Sequence, residues 1–177
     1  MKPLQIHQLR SIYDMMSLRG KAALITGGAG GIGRSCAAGL AEAGASIVLM
    51  DIPEKKEMLQ DNCRAIAGRY QAETMYVTGN VADEDHVNRM IGEAYEGMGR
   101  LDIVFANAGV GGNDDNPVQI QLSEWKKVID INLTGVFLVD RIAANLMKKL
   151  GNGGSIINTA SMSGHIINKG SRQDMSR

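Results

Sequence analysis

Five short apolar runs, AALITG, SIVLMD, TMYVTGN, LDIVFAN and GSIINTAS, recur through residues 22–161, each separated from the next by a stretch of helical character. This alternation constrains the fold more than any other feature. A strand that is apolar throughout has no face to offer to water, so a sheet built from such strands is covered on both sides. Strands that alternate with helices form a parallel sheet, and right-handed crossovers then give a doubly wound α/β layout. The connecting stretches read as helices for separate reasons. Residues 32–44 are rich in small side chains, with Gly44 as a C-cap. A second helix runs from Pro53, at a first-turn position, to about Gly68. A third, over 83–99, opens on an acidic turn that suits its dipole. The fourth is long and spans about Ser123 to Leu150. No internal repeat or low-complexity linker interrupts the pattern.

At 177 residues the chain reads as one domain, able to bury roughly two-thirds of its unfolded surface. Nineteen basic and nineteen acidic residues cancel, so no charged field points to nucleic acid or a membrane surface. No apolar run reaches transmembrane length. Cys36 and Cys63 are not spaced as a metal or redox pair, and no metal site is expected. Reduced thiols fit a cytoplasmic protein. Ile6, Leu9, Tyr13 and Met16 have helical spacing, but residues 1–17 are expected to be a loosely ordered extension.

The chemistry begins at TGGAGGIG, Thr26 to Gly33, between the first strand and the first helix. Glycines there let the backbone approach a ligand closely, and the amides opening the helix face an anion such as a pyrophosphate. A tight turn without a ligand is the bland alternative. Asp51, eighteen residues after Gly33, ends the second strand. A carboxylate at that place accepts hydrogen bonds from an adenosine ribose and repels a 2′-phosphate. A loop or capping acid is the alternative. The two features together favour a dinucleotide site.

These residues resemble the classical short-chain dehydrogenase/reductase family, whose Thr-Gly-x-x-x-Gly-x-Gly pattern is matched by Thr26 to Gly33. NAG at 107–109, IDINLTGVF around Asn132, NVAD at 80–83 and GGSIINTASMSG around Ser161 follow the family's motifs. The resemblance covers about Leu18 to Lys169. It implies a Rossmann-like fold and a cofactor site made by Gly27, Gly31, Ile32, Gly33, Asp51, Asn80, Val81, Asn107, Ala108 and Gly109. Val81 would pack on the adenine and Asn80 would accept from its amino group. For Asn80, turn formation is the competing role. The catalytic set carried over is Ser161, donating to a substrate oxygen, and Asn132, holding a water through a local helix distortion. The competing roles are a strand-end serine and an asparagine bonded to a neighbouring loop.

The family also implies a Tyr-x-x-x-Lys on the helix after the serine strand, where the lysine lowers the tyrosine's pKa and the tyrosine exchanges the proton. Tyr13, Tyr70, Tyr76 and Tyr95 all lie upstream of Ser161, and none has Lys four residues on. The chain is therefore expected to be a C-terminally truncated form, with extension 1–17, dinucleotide-binding domain 18–169 and divergent tail 170–177. Strand five would be left as an uncovered apolar edge. The 123–150 helix, apolar through Ile129, Leu133 and Phe137 and again through Ile131, Leu138 and Ile142, would show an unpartnered face. The family buries that face against a further helix and a partner subunit, which implies a homo-oligomer.

The reading is an NAD-dependent oxidoreductase acting on a small secondary alcohol or ketone, with a sugar, polyol or sugar acid suggested by general resemblance. As written, the chain would be inactive. A non-catalytic NAD-binding pseudoenzyme or interaction protein is the alternative. A methyltransferase-like fold also puts an acid after strand two, but TGGAGGIG, NAG and the serine strand argue against it.

Overall fold

The computed structural model describes residues 11–112 and 119–161. After a one-turn helix α1 (Ile12–Met16), the chain alternates β1 (Ala22–Thr26), α2 (Gly31–Glu42), β2 (Ser46–Asp51), a 3₁₀ turn (Pro53–Lys55), α3 (Lys56–Tyr70), β3 (Thr74–Thr78), α4 (Glu84–Met98) and β4 (Ile103–Ala106). Then come α5 (Leu122–Ile129), a π-helical segment (Asp130–Gly135), α6 (Val136–Leu150) and β5 (Ser155–Asn158). The five strands form one sheet in the order β3-β2-β1-β4-β5, and every pair is parallel. The chain order reverses direction between β1 and β4. This is the doubly wound, Rossmann-like layout that the alternation predicts.

The unbroken apolar runs are explained by two separate cores. Leu24, Val48, Met50, Val77 and Val104 point to the face covered by α4 and α6, where they meet Val87, Met90, Ile91, Leu138 and Ala143. Their neighbours Ala23, Ile25, Ile47, Leu49 and Ile103 point to the other face, against Ala37, Ala41, Leu59 and Ile66 of α2 and α3. Successive strand side chains alternate in direction, so both parities must be apolar. Ala37 and Ala41 let the α2 backbone lie close to the sheet.

The structure corrects three expectations. First, residues 11–17 are not loose. Ser11 and Asp14 form a reciprocal capping box on α1, although residues 1–10 of the extension lie outside the described residues. Second, the helix expected from Pro53 to Gly68 opens as a 3₁₀ turn and runs through Gly68, stopping where Gln71 takes a left-handed conformation at φ 53°. Third, the long helix expected over 123–150 is three segments, because the backbone widens to π over Asp130–Gly135. Gly135 lies against Val81 so closely that a Cβ would come within 2.8 Å of it. Of the two apolar faces expected on the long helix, the one with Ile131, Leu138 and Ile142 is covered. Leu138 is in the core, and the other two pack against it. The unpartnered apolar face that the sequence predicts is the other one, where Leu133 and Phe137 are 64% and 57% exposed, with Leu122 and Trp125 of α5 at 66% and 57%. Strand β5 is an edge with little cover, as its sequence context predicts: of its four residues only Ile156 is even half-buried.

At the amino ends of β1, β4 and β5, Asp102 joins the sheet. Its buried carboxylate accepts from Arg100 Nε at 2.6 Å and Nη2 at 2.7 Å, from Lys21 Nζ at 3.1 Å and from the Ala22 amide at 3.0 Å. The Asp102 carbonyl receives the Ser155 amide at 2.8 Å. The Arg100 hydrogen bonds hold this carboxyl well below the ordinary carboxylate range, against the opposing effect of burial. The unfolded carboxylate takes up its proton near pH 4. The stabilisation is therefore complete above about pH 4–5 and disappears as pH falls through the depressed native value. Replacing Asp102 by Asn is expected to cost about 1–3 kcal/mol at neutral pH. The same variant should show a shallower loss of stability below pH 4 than the parent, measured by urea unfolding across pH.

Candidate functional site

The carboxyl ends of β1, β2, β3 and β4 open on one side of the sheet, and the reversal between β1 and β4 leaves a crevice there. Ligands of open parallel sheets bind at this point. Thr26 ends β1 and is fully buried. Its hydroxyl oxygen accepts the amides of Asn107 and Ala108, both at 2.9 Å. Asn107 Nδ2 donates back to the Thr26 carbonyl at 3.1 Å, and Asn107 Oδ1 accepts from the Thr159 hydroxyl at 3.0 Å. Three loops are thus tied edge to edge.

The Gly-rich turn leaves β1 over this knot. Gly27 has φ +68°, and a Cβ there would lie 3.0 Å from Asn107 Nδ2. At Gly33 a Cβ would fall 2.3 Å from the Gly27 carbonyl oxygen, and at Gly28 it would fall 2.9 Å from Leu49 Cβ. These glycines are demanded by the protein's own packing. Gly31, at the start of α2, is different, because a Cβ on it would meet nothing within 4 Å. From below, the turn is held by Asn62, a buried α3 side chain whose Nδ2 donates to the Gly28 carbonyl at 3.1 Å.

Asp51 ends β2 beside the turn. Its Oδ2 accepts the Ala29 amide at 3.1 Å, its Oδ1 accepts the Ile52 amide at 2.9 Å, and Lys55 Nζ stands 3.4 Å from Oδ1. A cleft of 320 Å³ is lined by Gly27, Asp51, Asn80, Val81, Ala108 and Gly109, with Lys55 and Lys127 also on its walls. A second cleft of 400 Å³ shares Ala108 and Gly109 with it and adds Asn107, Asn132, Thr159 and Ser161. The structure therefore brings Asn132 and Ser161 together, next to the cleft that holds Asp51. Gly31, Ile32 and Gly33 line neither cleft. Gly33 supports the turn from inside, and Ile32 is an exposed residue of α2.

Two of the side chains have local partners. Asn80 Oδ1 accepts the Ala82 amide at 3.0 Å, which is the turn-forming role. Asn132 grips the loop after β4, accepting the Val110 amide at 2.9 Å and donating to the Val110 carbonyl at 2.8 Å. This is the loop-bonding role, and it occurs inside the π segment. Among the described residues, each amide keeps donor and acceptor capacity beyond these bonds. Asp83, close to Asn80, caps α4 through the His86 amide, and that hydrogen bond lowers its pKa. Burial pushes the Cys63 thiol up to about 11, so it is no nucleophile.

Sequence reasoning missed Asn62, Thr159, Lys55 and the bonding role of Thr26. The buried mid-helix Asn62 carried a signal, because asparagine is a poor helix former. Lys55 lies outside the Gly-rich turn, and its position four residues after Asp51 carries no distinctive pattern.

Fold and site together define a Rossmann-type α/β domain with a cleft at the point where its strand order reverses. Residues 21–172 match the short chain dehydrogenase family, and the chain belongs to it. It is 36% identical over 172 residues to the sorbose reductase of Candida albicans, covering 94% of this chain and 58% of the reductase. An NADP-dependent mannitol dehydrogenase of Hypocrea jecorina is 31% identical over 168 residues, covering 94% of this chain and 62% of that enzyme. Among solved structures, a short-chain type dehydrogenase/reductase from Mycobacterium marinum superposes with a TM-score of 0.86 at 38% identity, covering 91% of this chain and 64% of the other. The chain thus spans less than two-thirds of these relatives' length. Among the described residues, no helix is long and apolar enough to cross a membrane.

The glycine geometry separates positions that packing requires from one that packing leaves open. Gly33→Ala should lower stability by about 1–3 kcal/mol, as overpacking does. Gly31→Ala should leave stability unchanged or raise it by up to about 1 kcal/mol, because its Cβ meets nothing and alanine favours helix. Thermal unfolding of the two variants is the measurement.

Proposed function

We propose that this chain carries the dinucleotide-binding part of an NAD-dependent oxidoreductase that interconverts a secondary alcohol and a ketone, with a sugar, polyol or sugar acid as substrate. The observation that carries this reading is the cleft at the carboxyl ends of the strands, where Gly27, Asp51, Asn80, Val81, Ala108 and Gly109 meet, a place where open parallel sheets take a dinucleotide ligand. Gly31 opens α2 beside that turn, and a Cβ on it would meet nothing within 4 Å. The residues fit such a ligand. The Gly28, Ala29 and Gly30 amides are bonded within the protein, so it is the Gly31 amide and the α2 N-terminus that suit a pyrophosphate, and Asp51 suits the adenosine ribose. Val81 and the free capacity of Asn80 suit the adenine. Asn107, Ala108 and Gly109 would line the nicotinamide ribose. The bound cofactor would supply or accept the hydride.

The chain's own residues then orient and exclude. Ser161 donates a hydrogen bond to the substrate oxygen, and Asn132 holds the Val110 loop so that the two clefts stay joined. Neither residue can take the alcohol proton. A neutral hydroxyl is a poor base, and an amide has no charge change near neutral pH. The Tyr-x-x-x-Lys that would do so does not occur in these 177 residues. The similarity to a sorbose reductase and a mannitol dehydrogenase supports the substrate class. Two free cysteines suit a cytoplasmic setting.

Calorimetric titration tests the binding claim. NAD should bind the parent chain, and Gly31→Ala should weaken it while leaving the fold intact. Loss of affinity without loss of stability is the expected signature.

On turnover, the 177-residue chain should show no appreciable NAD-dependent oxidation of sugars, polyols or simple secondary alcohols. Losing a positioned acid–base group costs about 10²–10⁴-fold. Adding a family-type ending after Lys169, with Tyr-x-x-x-Lys, should restore a rate that Ser161→Ala again abolishes. Robust turnover by the parent chain would overturn this.

A homo-oligomer is the association state proposed. Trp125, Leu133 and Phe137 are exposed apolar side chains on α5, the π segment and α6, of the kind that marks association surfaces, and β5 is a sheet edge among the described residues. Sedimentation velocity at several concentrations should give a mass above the 19.0 kDa monomer. A single monomeric species throughout would refute it.

A further inference from the structure

We propose that Lys55 is a cofactor-selecting residue, and that the Asp51–Lys55 pair lets this cleft bind a 2′-phosphorylated dinucleotide nearly as well as the unphosphorylated one. The inference rests on the dinucleotide reading of the site.

The donors around Asp51 set the balance. A carboxylate offers about four lone-pair sites. The Ala29 amide takes one on Oδ2, the Ile52 amide takes one on Oδ1, and Lys55 stands 3.4 Å from Oδ1. One site remains fully open. A ribose 2′,3′-diol has two hydroxyls to donate, so its second hydroxyl competes with Lys55 for the carboxylate. A ribose carrying a 2′-phosphate has one hydroxyl left, and the open site accepts it. The phosphate then needs a cation, and Lys55 is already at that edge of the cleft.

The backbone keeps Lys55 there. It is the last residue of the 3₁₀ turn, its amide donates to the Ile52 carbonyl at 3.0 Å, and Pro53 fixes the turn's first dihedral. The side chain is 43% exposed, so the ammonium can leave Asp51 for a phosphate oxygen without being stranded in a dry interior. Asp51, at 7%, cannot move away. The acid alone would reject a group carrying nearly two negative charges. With Lys55 beside it the local charge is neutral before the phosphate arrives. Lys127, also on the cleft wall, has no ion-pair partner among the described residues. It contributes to the cleft's general field but makes no ion pair with Asp51.

The test is equilibrium binding of NAD and NADP to the parent chain, Lys55→Met, Lys55→Arg and Lys127→Met, by calorimetry at about 0.05 and 0.5 M salt, which brackets strong and weak screening. Circular dichroism checks each fold. The parent should favour NAD over NADP by less than about ten-fold. Lys55→Met should widen that ratio roughly ten-fold through weaker NADP binding, the scale of one solvent-screened charged hydrogen bond. Lys55→Arg should return it towards the parent. Salt should weaken NADP more than NAD in the parent, and this difference should shrink in Lys55→Met. The same change in both affinities, no change in either, or an equal effect from Lys127→Met would overturn the role of Lys55 while leaving the dinucleotide site standing. Failure of the folded parent to bind either cofactor would overturn both.

Discussion

The site depends on the buried hydroxyl of Thr26. It accepts two successive amides from the turn after β4, and the Asn107 side chain returns a hydrogen bond to the Thr26 carbonyl while receiving one from Thr159. A parallel sheet has evenly spaced bonds along its strands, but nothing in that ladder aligns the strand ends. Here the ends of β1 and β4 and the residue after β5 are tied by side chains. Without that knot, the Gly-rich turn would have no fixed floor and the two clefts would not share a wall.

The rest of the site is layered on that floor. Gly27 crosses the Asn107 amide at a distance only glycine tolerates, and Gly33 packs under the Gly27 carbonyl. The turn is fastened from the second strand by Gly28 and from α3 by Asn62. Asp51 has a double role: it anchors the Ala29 amide and also presents a carboxylate to the cleft. An acid that is partly committed to structure has less freedom to act as a selector. On the proposed reading, that is the physical reason the cofactor preference would fall to the pair it makes with Lys55.

Across the molecule, Asp102 secures the amino ends of the same strands with charge, where the carboxyl ends are secured by neutral hydrogen bonds. The separation is useful. A buried carboxylate ringed by Arg100 and Lys21 can stabilise the sheet without placing that field in the ligand cleft. On the third side, Trp125, Leu133 and Phe137 are exposed, with the Arg141 guanidinium 5.3 Å from the centre of the Phe137 ring.

Much was legible from the residues in order. Continuous apolar runs separated by helices dictate a two-faced parallel sheet, because no other arrangement hides both parities of such strands. The glycine turn, Asp51, Asn107, Asn132 and Ser161 could be placed on one edge of that sheet, since each follows the end of a strand or lies in the helix before β5. Only the tertiary structure decided what each of them touches. It assigned Asn80 to a turn and Asn132 to the Val110 loop, because those partners are fixed by how separate segments meet. It widened the helix at Asp130–Gly135, where Gly135 packs on Val81, fifty-four residues away in the chain. Within the Gly-rich turn it separated Gly27, Gly28 and Gly33, which packing requires, from Gly31, which packing leaves open. It also set Lys55 against Asp51, a contact made by the turn at Pro53 that periodicity alone does not encode.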